Sequence, residues 1–188
     1  NRRTLHLGTS VTFRNTGDEQ QRFFSRASSA QGQVLVDTGK FDADRELRLG
    51  FELGAVRDSL SFQTETIVAT TGSGSSVGDQ VFWSTYAMGS YVLTGESRSY
   101  RERVGAFGSV HPDSPFWSAG AGAFETVARY AILDLDSGTV EGGVLHDWTL
   151  GLNWYANNNL RVMLNYVVAH PESSGYEQIA QVRLQLTL

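Results

Sequence analysis

Strict alternation of apolar and polar residues is the dominant pattern of this chain. In the segment 147–155 (DWTLGLNWY) every second residue is large and apolar, and the segments 160–168 and 180–188 repeat the pattern. Successive side chains of a β-strand point to opposite faces of a sheet, so each segment has one apolar wall and one more polar wall. Because no window has the 3.6-residue periodicity of a helix, the pattern predicts strands throughout.

Five earlier segments alternate in the same way and bring the predicted strands to eight. They cover residues 4–14, 46–56, 59–70, 81–95 and 124–135. In 81–95 both walls are apolar, so the pattern does not orient that strand. Alternating segments of about 9–11 residues are typical of transmembrane β-barrels, whereas the strands of soluble sandwiches are usually about 5–6 residues long. The pattern therefore favours an all-β, antiparallel transmembrane β-barrel.

The connections between these segments differ in length. Arg57-Asp58 and Ala156–Asn159 have the composition of tight turns. Longer and mostly polar connections cover 15–45, 71–80, 136–146 and 169–178. Short periplasmic turns alternate with long extracellular loops in bacterial barrels. With the last strand ending in the periplasm, the segment 96–123 is an unusually long periplasmic connection, and we expect it to fold into the lumen or to contact a partner.

Composition excludes several other classes of protein. The 188 residues contain no cysteine, which excludes a disulfide scaffold, and the net charge of −5 argues against a nucleic-acid partner. The longest unbroken apolar run has four residues, whereas a membrane-spanning helix needs about 20. The four histidines are scattered and no nucleophile or phosphate-loop motif is present. We therefore expect no enzyme, no cofactor and no metal site.

Charged and amide side chains on the predicted polar walls are the candidates for lining a pore. They are Arg14, Arg48, Glu52, Glu65, Glu125, Arg129, Asn153, Arg161 and Arg183. Guanidinium groups bind oxyanions in a bidentate manner, so a line of inward arginines would attract anions. In the alternative, these arginines pair with Glu46, Glu52, Glu65 and Glu125 in a structural ladder that cancels the field. Both alternatives are open at this stage, and the excess of acids favours a weak or mixed ion preference.

Aromatic residues on the strands are candidates for the girdles that mark the membrane interfaces. They are Trp83, Tyr130, Trp148, Trp154 and Tyr166, together with Tyr155. Ordinary packing or contact with lipid tails is the alternative role for these rings.

Several segments resemble the phosphate-selective porin O/P family and follow one another in that family's order. They are VDTG at 36–39, YVLTGESRSYR at 91–101, GAFG at 105–108, GAFETVARYAILDL at 122–135, DWTLGLNWY at 147–155 and LRVMLNYV at 160–167. The resemblance is to the C-terminal half of the family, whose members form 16-stranded barrels, usually trimeric, in the outer membrane of Gram-negative bacteria. It implies that residues 1–188 are half of such a barrel.

The resemblance also implies a function. We expect an outer-membrane porin, in contact with outer-membrane lipid, that passes small hydrophilic solutes and has a further preference for anions such as phosphate. The half that usually carries the constriction loop and much of the basic phosphate machinery is missing from this sequence, so no phosphate-binding residue is transferred. The chain ends in Leu188, where the family ends in an aromatic residue.

Two alternatives stand beside the half-barrel porin. A porin-like barrel could act as a structural anchor or docking subunit of a larger envelope assembly. The eight strands could also close on themselves in a small barrel whose interior is filled by side chains. Pairing between the first and last strands would support the small barrel and refute the half-barrel.

Overall fold

One antiparallel sheet of eight long strands dominates the computed structural model, which describes residues 3–15, 17, 20–28, 32–72 and 79–187. Each strand pairs with its neighbours in sequence. The strands are β1 (Arg3–Asn15), β2 (Arg45–Arg57), β3 (Leu60–Gly72), β4 (Gln80–Val92), β5 (Ala123–Ser137), β6 (Val140–Tyr155), β7 (Leu160–Pro171) and β8 (Glu177–Leu186). The eight predicted strands and their antiparallel order are confirmed.

The prediction of a long connection over 136–146 is wrong. Strand β5 continues to Ser137 and β6 begins at Val140, so that only Gly138 and Thr139 form the turn. Gly138 has a φ of +56°, which suits glycine in a tight hairpin turn. The alternation is hidden there because the pairing register shifts between Asp134 and Asp136. A bulge of this kind breaks the period of two on which the prediction depends.

Other connections agree more closely with the expectation. The turn after β2 contains Asp58 with a φ of +53°, a left-handed conformation that Asp tolerates. Strand β7 continues to Pro171, which shortens the connection predicted over 169–178. Within the connection predicted over 71–80, residues 73–78 lie outside the described residues. Leu188, at the end of the last predicted strand, also lies outside them.

The exposure of the two faces of the sheet is opposite to that in a soluble sandwich. On the face that we call the apolar face, Trp148 is 58% exposed and Leu150 is 63% exposed. On the other face, called the polar face, Glu125 and Asn153 are buried. Soluble antiparallel sheets bury the apolar face and solvate the polar one. The structure also orients β4, because Phe82 is buried on the polar face.

The long connection 15–45 packs against the polar face near one end of the strands. It forms two short hairpin pairings, Phe24–Arg26 with Val34–Asp37 and Gln20–Gln21 with Phe41–Asp42. Its apolar residues join Phe82 and neighbouring sheet residues in a core cluster. The rings of Phe23 and Phe82 are 5.2 Å apart, and those of Phe41 and Phe82 are 5.8 Å apart. The loop is therefore held over the polar face by aromatic packing.

The segment 96–123 is folded as well. Strands Arg98–Arg101 and Ala106–Val110 form a hairpin, which is joined by a 3₁₀ turn at Glu102–Val104. A second 3₁₀ turn covers Phe116–Ser118. The hairpin contacts the polar face, in keeping with the first of the two expectations for this segment; its position in a lumen stays a prediction.

The sheet is open along both outer strands. Among the described residues, β1 pairs only with β2 and β8 pairs only with β7. The first and last strands do not pair with each other, so the closed eight-stranded barrel is not the fold of this chain. No helix among the described residues has the length and apolarity to cross a membrane.

Candidate pore-lining face

The register places all nine candidate pore-lining residues on the polar face. Glu125 lies directly opposite Asn153, and Glu52 lies directly opposite Glu65. Directly opposed residues of antiparallel strands share a face, so the face can be followed across the sheet. The same counting places five arginines there: Arg14, Arg48, Arg129, Arg161 and Arg183. That these residues line a pore stays a prediction.

Two of these arginines share a single carboxylate. Arg14 donates a 2.7 Å hydrogen bond from Nη2 to Glu46, whose side chain is buried, and Arg48 pairs with the other oxygen of that carboxylate. The Arg48 guanidinium also lies over the ring of Phe23, 5.6 Å from its centroid. This part of the polar face therefore follows the ladder alternative, with one unit of positive charge in excess.

Arg129 and Asp147 fasten the connection 15–45 to the sheet. Arg129 Nη1 lies 3.9 Å from Asp147 Oδ1 and donates a 2.9 Å hydrogen bond to Ser28 Oγ. The backbone N–H of Ser28 donates a 2.7 Å hydrogen bond to Asp147 Oδ2. The Arg129 guanidinium lies over the ring of Tyr86 at 4.8 Å. This arginine is thus paired and stacked, beside a cavity of about 220 Å³.

Glu125 is the most deeply buried charge on the polar face. Its carboxylate accepts hydrogen bonds from Ser90 Oγ at 2.7 Å, Asn153 Nδ2 at 2.9 Å and the Tyr155 hydroxyl at 2.7 Å. Its ion-pair partner is Arg98, from the 96–123 segment, which the sequence did not single out. Burial acts to lower the pKa of Arg98, but the charge of Glu125 outweighs that effect and raises this pKa above its ordinary value.

Arg161 and Arg183 have no acidic partner among the described residues. The Arg161 guanidinium lies over the ring of Tyr155 at 4.8 Å. Together with Arg101 and His111 it lines a cavity of about 430 Å³ at the tight-turn end of the sheet. The glutamate pairing of the ladder alternative is therefore present for Arg14 and Arg48, while Arg129 pairs with Asp147 instead and no such pair is present at this end among the described residues.

The two remaining glutamates are not paired with arginine. Glu52 Oε1 lies 3.0 Å from His6 Nε2, and His6 Nδ1 lies 2.7 Å from the Tyr100 hydroxyl. Glu65 lies directly opposite Glu52, which is also acidic, and forms no ion pair among the described residues. A cavity of about 410 Å³ opens here between the sheet and the ring of Phe107. This part of the polar face carries negative charge.

Five of the six candidate interfacial aromatics lie on the apolar face. Trp83 and Trp154 are close to opposite ends of their strands, and Tyr130, Trp148 and Tyr166 lie between them. Tyr155 does not belong to the set, because its ring is buried on the polar face and its hydroxyl donates to Glu125. The alternation of 147–155 already carried that signal, since Tyr155 has the same parity as Asn153. A girdle role for the other five stays a prediction.

Comparison with known proteins agrees with this geometry. Residues 14–188 match the family described as phosphate-selective porin O and P. An uncharacterized protein of Caulobacter vibrioides is 32% identical over 170 residues, which cover 86% of this chain and 33% of that protein. Porin O of Pseudomonas aeruginosa is 34% identical over 93 residues, which cover 45% of this chain and 20% of that protein.

The chain spans about a third of the length of the first of these relatives, and its match to the second covers a fifth of that porin. The family match nevertheless includes seven complete strands and the end of β1. The chain therefore belongs to the phosphate-selective porin O and P family, whose members are outer-membrane porins of Gram-negative bacteria, and its location is the outer membrane.

Proposed function

We propose that this chain forms half of the wall of a water-filled outer-membrane channel for passive diffusion of small hydrophilic solutes. The observation that carries the proposal is that the apolar face of the sheet is exposed and the polar face is partly buried. Apolar side chains such as Trp148 and Leu150 are exposed, while charged groups such as Glu46 and Glu125 are buried on the other face. Strands that separate lipid from a polar lumen have this distribution. Membership in a porin family supports a channel rather than an enzyme.

Closure of the channel requires further strands. The outer strands β1 and β8 each leave one row of backbone N–H and C=O groups unpaired in the described sheet. Such groups cost several kcal/mol each in lipid, so only closed barrels are stable there. Additional strands that pair with β1 and β8 would complete a barrel of the 16-stranded class. Assembly of such barrels into a trimer belongs to the same proposal.

The charges on the polar face support a preference for anions at the tight-turn end. Arg101 and Arg161 face a common cavity without an acidic partner among the described residues. A guanidinium group that is not held by a carboxylate is free to bind an oxyanion. Glu52 and Glu65 oppose this field farther along the face. We therefore propose a moderate preference for anions, with phosphate among the solutes.

Conductance of the full-length protein in planar lipid bilayers tests the channel. Stepwise openings with a conductance that grows in proportion to the salt concentration are expected for a water-filled pore. A folded, membrane-inserted protein without open-channel conductance would refute the porin. If such a silent protein also co-purified stoichiometrically with envelope proteins, a structural anchor would be the better description.

A further inference from the structure

The segment 96–123 passes from one face of the sheet to the other around the tight-turn end. Its hairpin lies on the polar face, where Arg98 contacts Glu125. Its later part lies on the apolar face, where the ring of Phe116 packs edge-on against Trp154 at 5.4 Å. Trp117 in turn contacts Phe116, with ring centroids 5.3 Å apart, and Phe124 is stacked on Trp154 at 6.3 Å. Four aromatic rings are thereby gathered at one rim of the apolar face.

Hydrogen bonds hold the turn that carries Phe116 and Trp117. Phe116 donates its backbone N–H to Ala156 at 2.8 Å, and Trp154 Nε1 donates to the carbonyl of Ala121 at 2.8 Å. Gly122 has a φ of +76°, and a Cβ at this position would lie 2.4 Å from the carbonyl oxygen of Tyr155. The close approach of segment and strand therefore requires glycine. The turn is a built feature rather than a loose connection.

The two rings at the tip remain exposed in spite of this order. Phe116 is 46% exposed and Trp117 is 69% exposed. Residues 114–122 (SPFWSAGAG) contain no charged side chain. Exposed large aromatic rings on an uncharged, well-ordered turn are costly in water and mark a contact surface.

We propose that the Phe116–Ser118 turn is a lipid anchor that inserts into the headgroup region of the periplasmic leaflet. This inference rests on the proposed function. The turn is continuous with the exposed apolar face through Trp154, and tryptophan rings such as that of Trp117 prefer the headgroup level. It lies over β5 and β6, inside the eight-stranded sheet, so strands that pair with β1 and β8 would leave it uncovered.

Site-specific labels in the full-length protein test the anchor. Cysteines elsewhere in that protein are replaced by serine, and Trp117→Cys, Arg103→Cys and Leu150→Cys variants carry an environment-sensitive fluorophore in phosphatidylcholine vesicles. Arg103 is the matched control, because it is exposed in the same segment but belongs to the hairpin on the polar side. Leu150 reports the middle of the apolar face.

The label at 117 is expected to emit at shorter wavelength than the label at 103. It should be quenched by lipid with a spin label near the headgroup and protected from iodide, whereas the label at 103 should be quenched by iodide. If iodide quenches the label at 117 as strongly as the label at 103, while the label at 150 is still exposed to lipid, the anchor is overturned and the proposed function is not. Loss of lipid exposure at 150 as well would overturn the proposed function.

Two further results separate lipid from protein contact. The label at 117 could also be protected from iodide by a second copy of the protein. Protection that is equally strong in detergent micelles that preserve the trimer, and that is lost when the trimer dissociates, would show such a contact. This result would overturn the anchor. A measurement without cysteine uses the Trp117→Phe variant, which should lose part of the tryptophan quenching by shallowly brominated lipid. Unchanged quenching in that variant would also overturn the anchor.

Discussion

Arg98 of the hairpin in the segment 96–123 and Glu125 of β5 form an ion pair in which the glutamate is fully buried. The carboxylate also accepts hydrogen bonds from Ser90, Asn153 and Tyr155. A buried carboxylate is stable only when its charge is paired and its lone pairs are satisfied. Glu125 therefore fixes the hairpin to the polar face at one defined point, and four elements of the chain meet there.

Replacement of Arg98 by alanine should destabilise the protein strongly. Loss of the guanidinium leaves the Glu125 charge buried and unpaired, which costs about 3–5 kcal/mol of the free energy of unfolding. Urea unfolding of the full-length protein in detergent measures the change. The matched control is Arg103→Ala in the same segment, where the side chain is exposed and makes no ion pair among the described residues. Equal effects of the two substitutions would contradict the role of the pair.

Introduction of a side chain at Gly54 should displace the hairpin. A Cβ at this position would lie 2.2 Å from Cε2 of Phe107, so the ring must move. Overpacking of this kind costs about 1–3 kcal/mol, and the single-channel conductance of Gly54→Ala should differ from that of the parent.

Two variants check this reading of Gly54. Gly89→Ala is the control, because nothing lies within 4 Å of a Cβ added there, and its conductance should equal that of the parent. In the Phe107→Ala background, Gly54→Ala should have little effect on stability, because the ring that the new Cβ would strike is absent. An additive double-mutant cycle would show that the two positions do not interact.

Replacement of Arg161 by alanine should lower the anion-to-cation permeability ratio more than replacement of Arg48. The Arg161 guanidinium has no carboxylate partner among the described residues, whereas Arg48 is held by Glu46. Only an unpaired guanidinium can take up a permeating oxyanion directly. Reversal potentials in a salt gradient measure the ratio. The anion preference would be ruled out if the parent is cation-selective and this selectivity is unchanged when Arg129 and Arg161 are both replaced by alanine.

Acidification should loosen the connection 15–45. Hydrogen bonds from Arg22 lower the pKa of Asp37, and the backbone N–H of Gly39 adds to this effect. A carboxyl group with a lowered pKa stabilises the folded loop above its ordinary pKa and loses that contribution as the pH falls through the lowered value. Both side chains are partly exposed, so the effect is local and small.

Hydrogen exchange of the Thr38 amide, which donates to the Phe23 carbonyl, reports this change. Protection should decrease at acidic pH in the parent and be low at every pH in Asp37→Asn. The control is Asp42→Asn, in the other short hairpin pairing of the same connection. A parent whose protection does not depend on pH would contradict the role of Asp37.

The sequence by itself determined the strands and, outside β4, their faces, because a period of two is a property of each strand alone. All nine polar candidates share a face for this reason, and Tyr130, Trp148, Trp154 and Tyr166 share the other, which the structure shows to be the face of Trp83 as well. The parity of Tyr155 carried the correct side as well. The prediction failed at 136–146, where a bulge interrupts the period.

Only the tertiary structure decided which distant groups meet on each face. The pairing of Arg98 with Glu125, the packing of Phe107 over Gly54 and the placement of Phe116 on Trp154 each join segments far apart in sequence. Alternation predicts which face of the sheet a side chain occupies, but it does not predict which other segment packs against that side chain. The pairing of Arg98, the contact of Arg129 with Ser28 and the aromatic rim therefore follow from the paths of the two long connections, which have no alternation pattern.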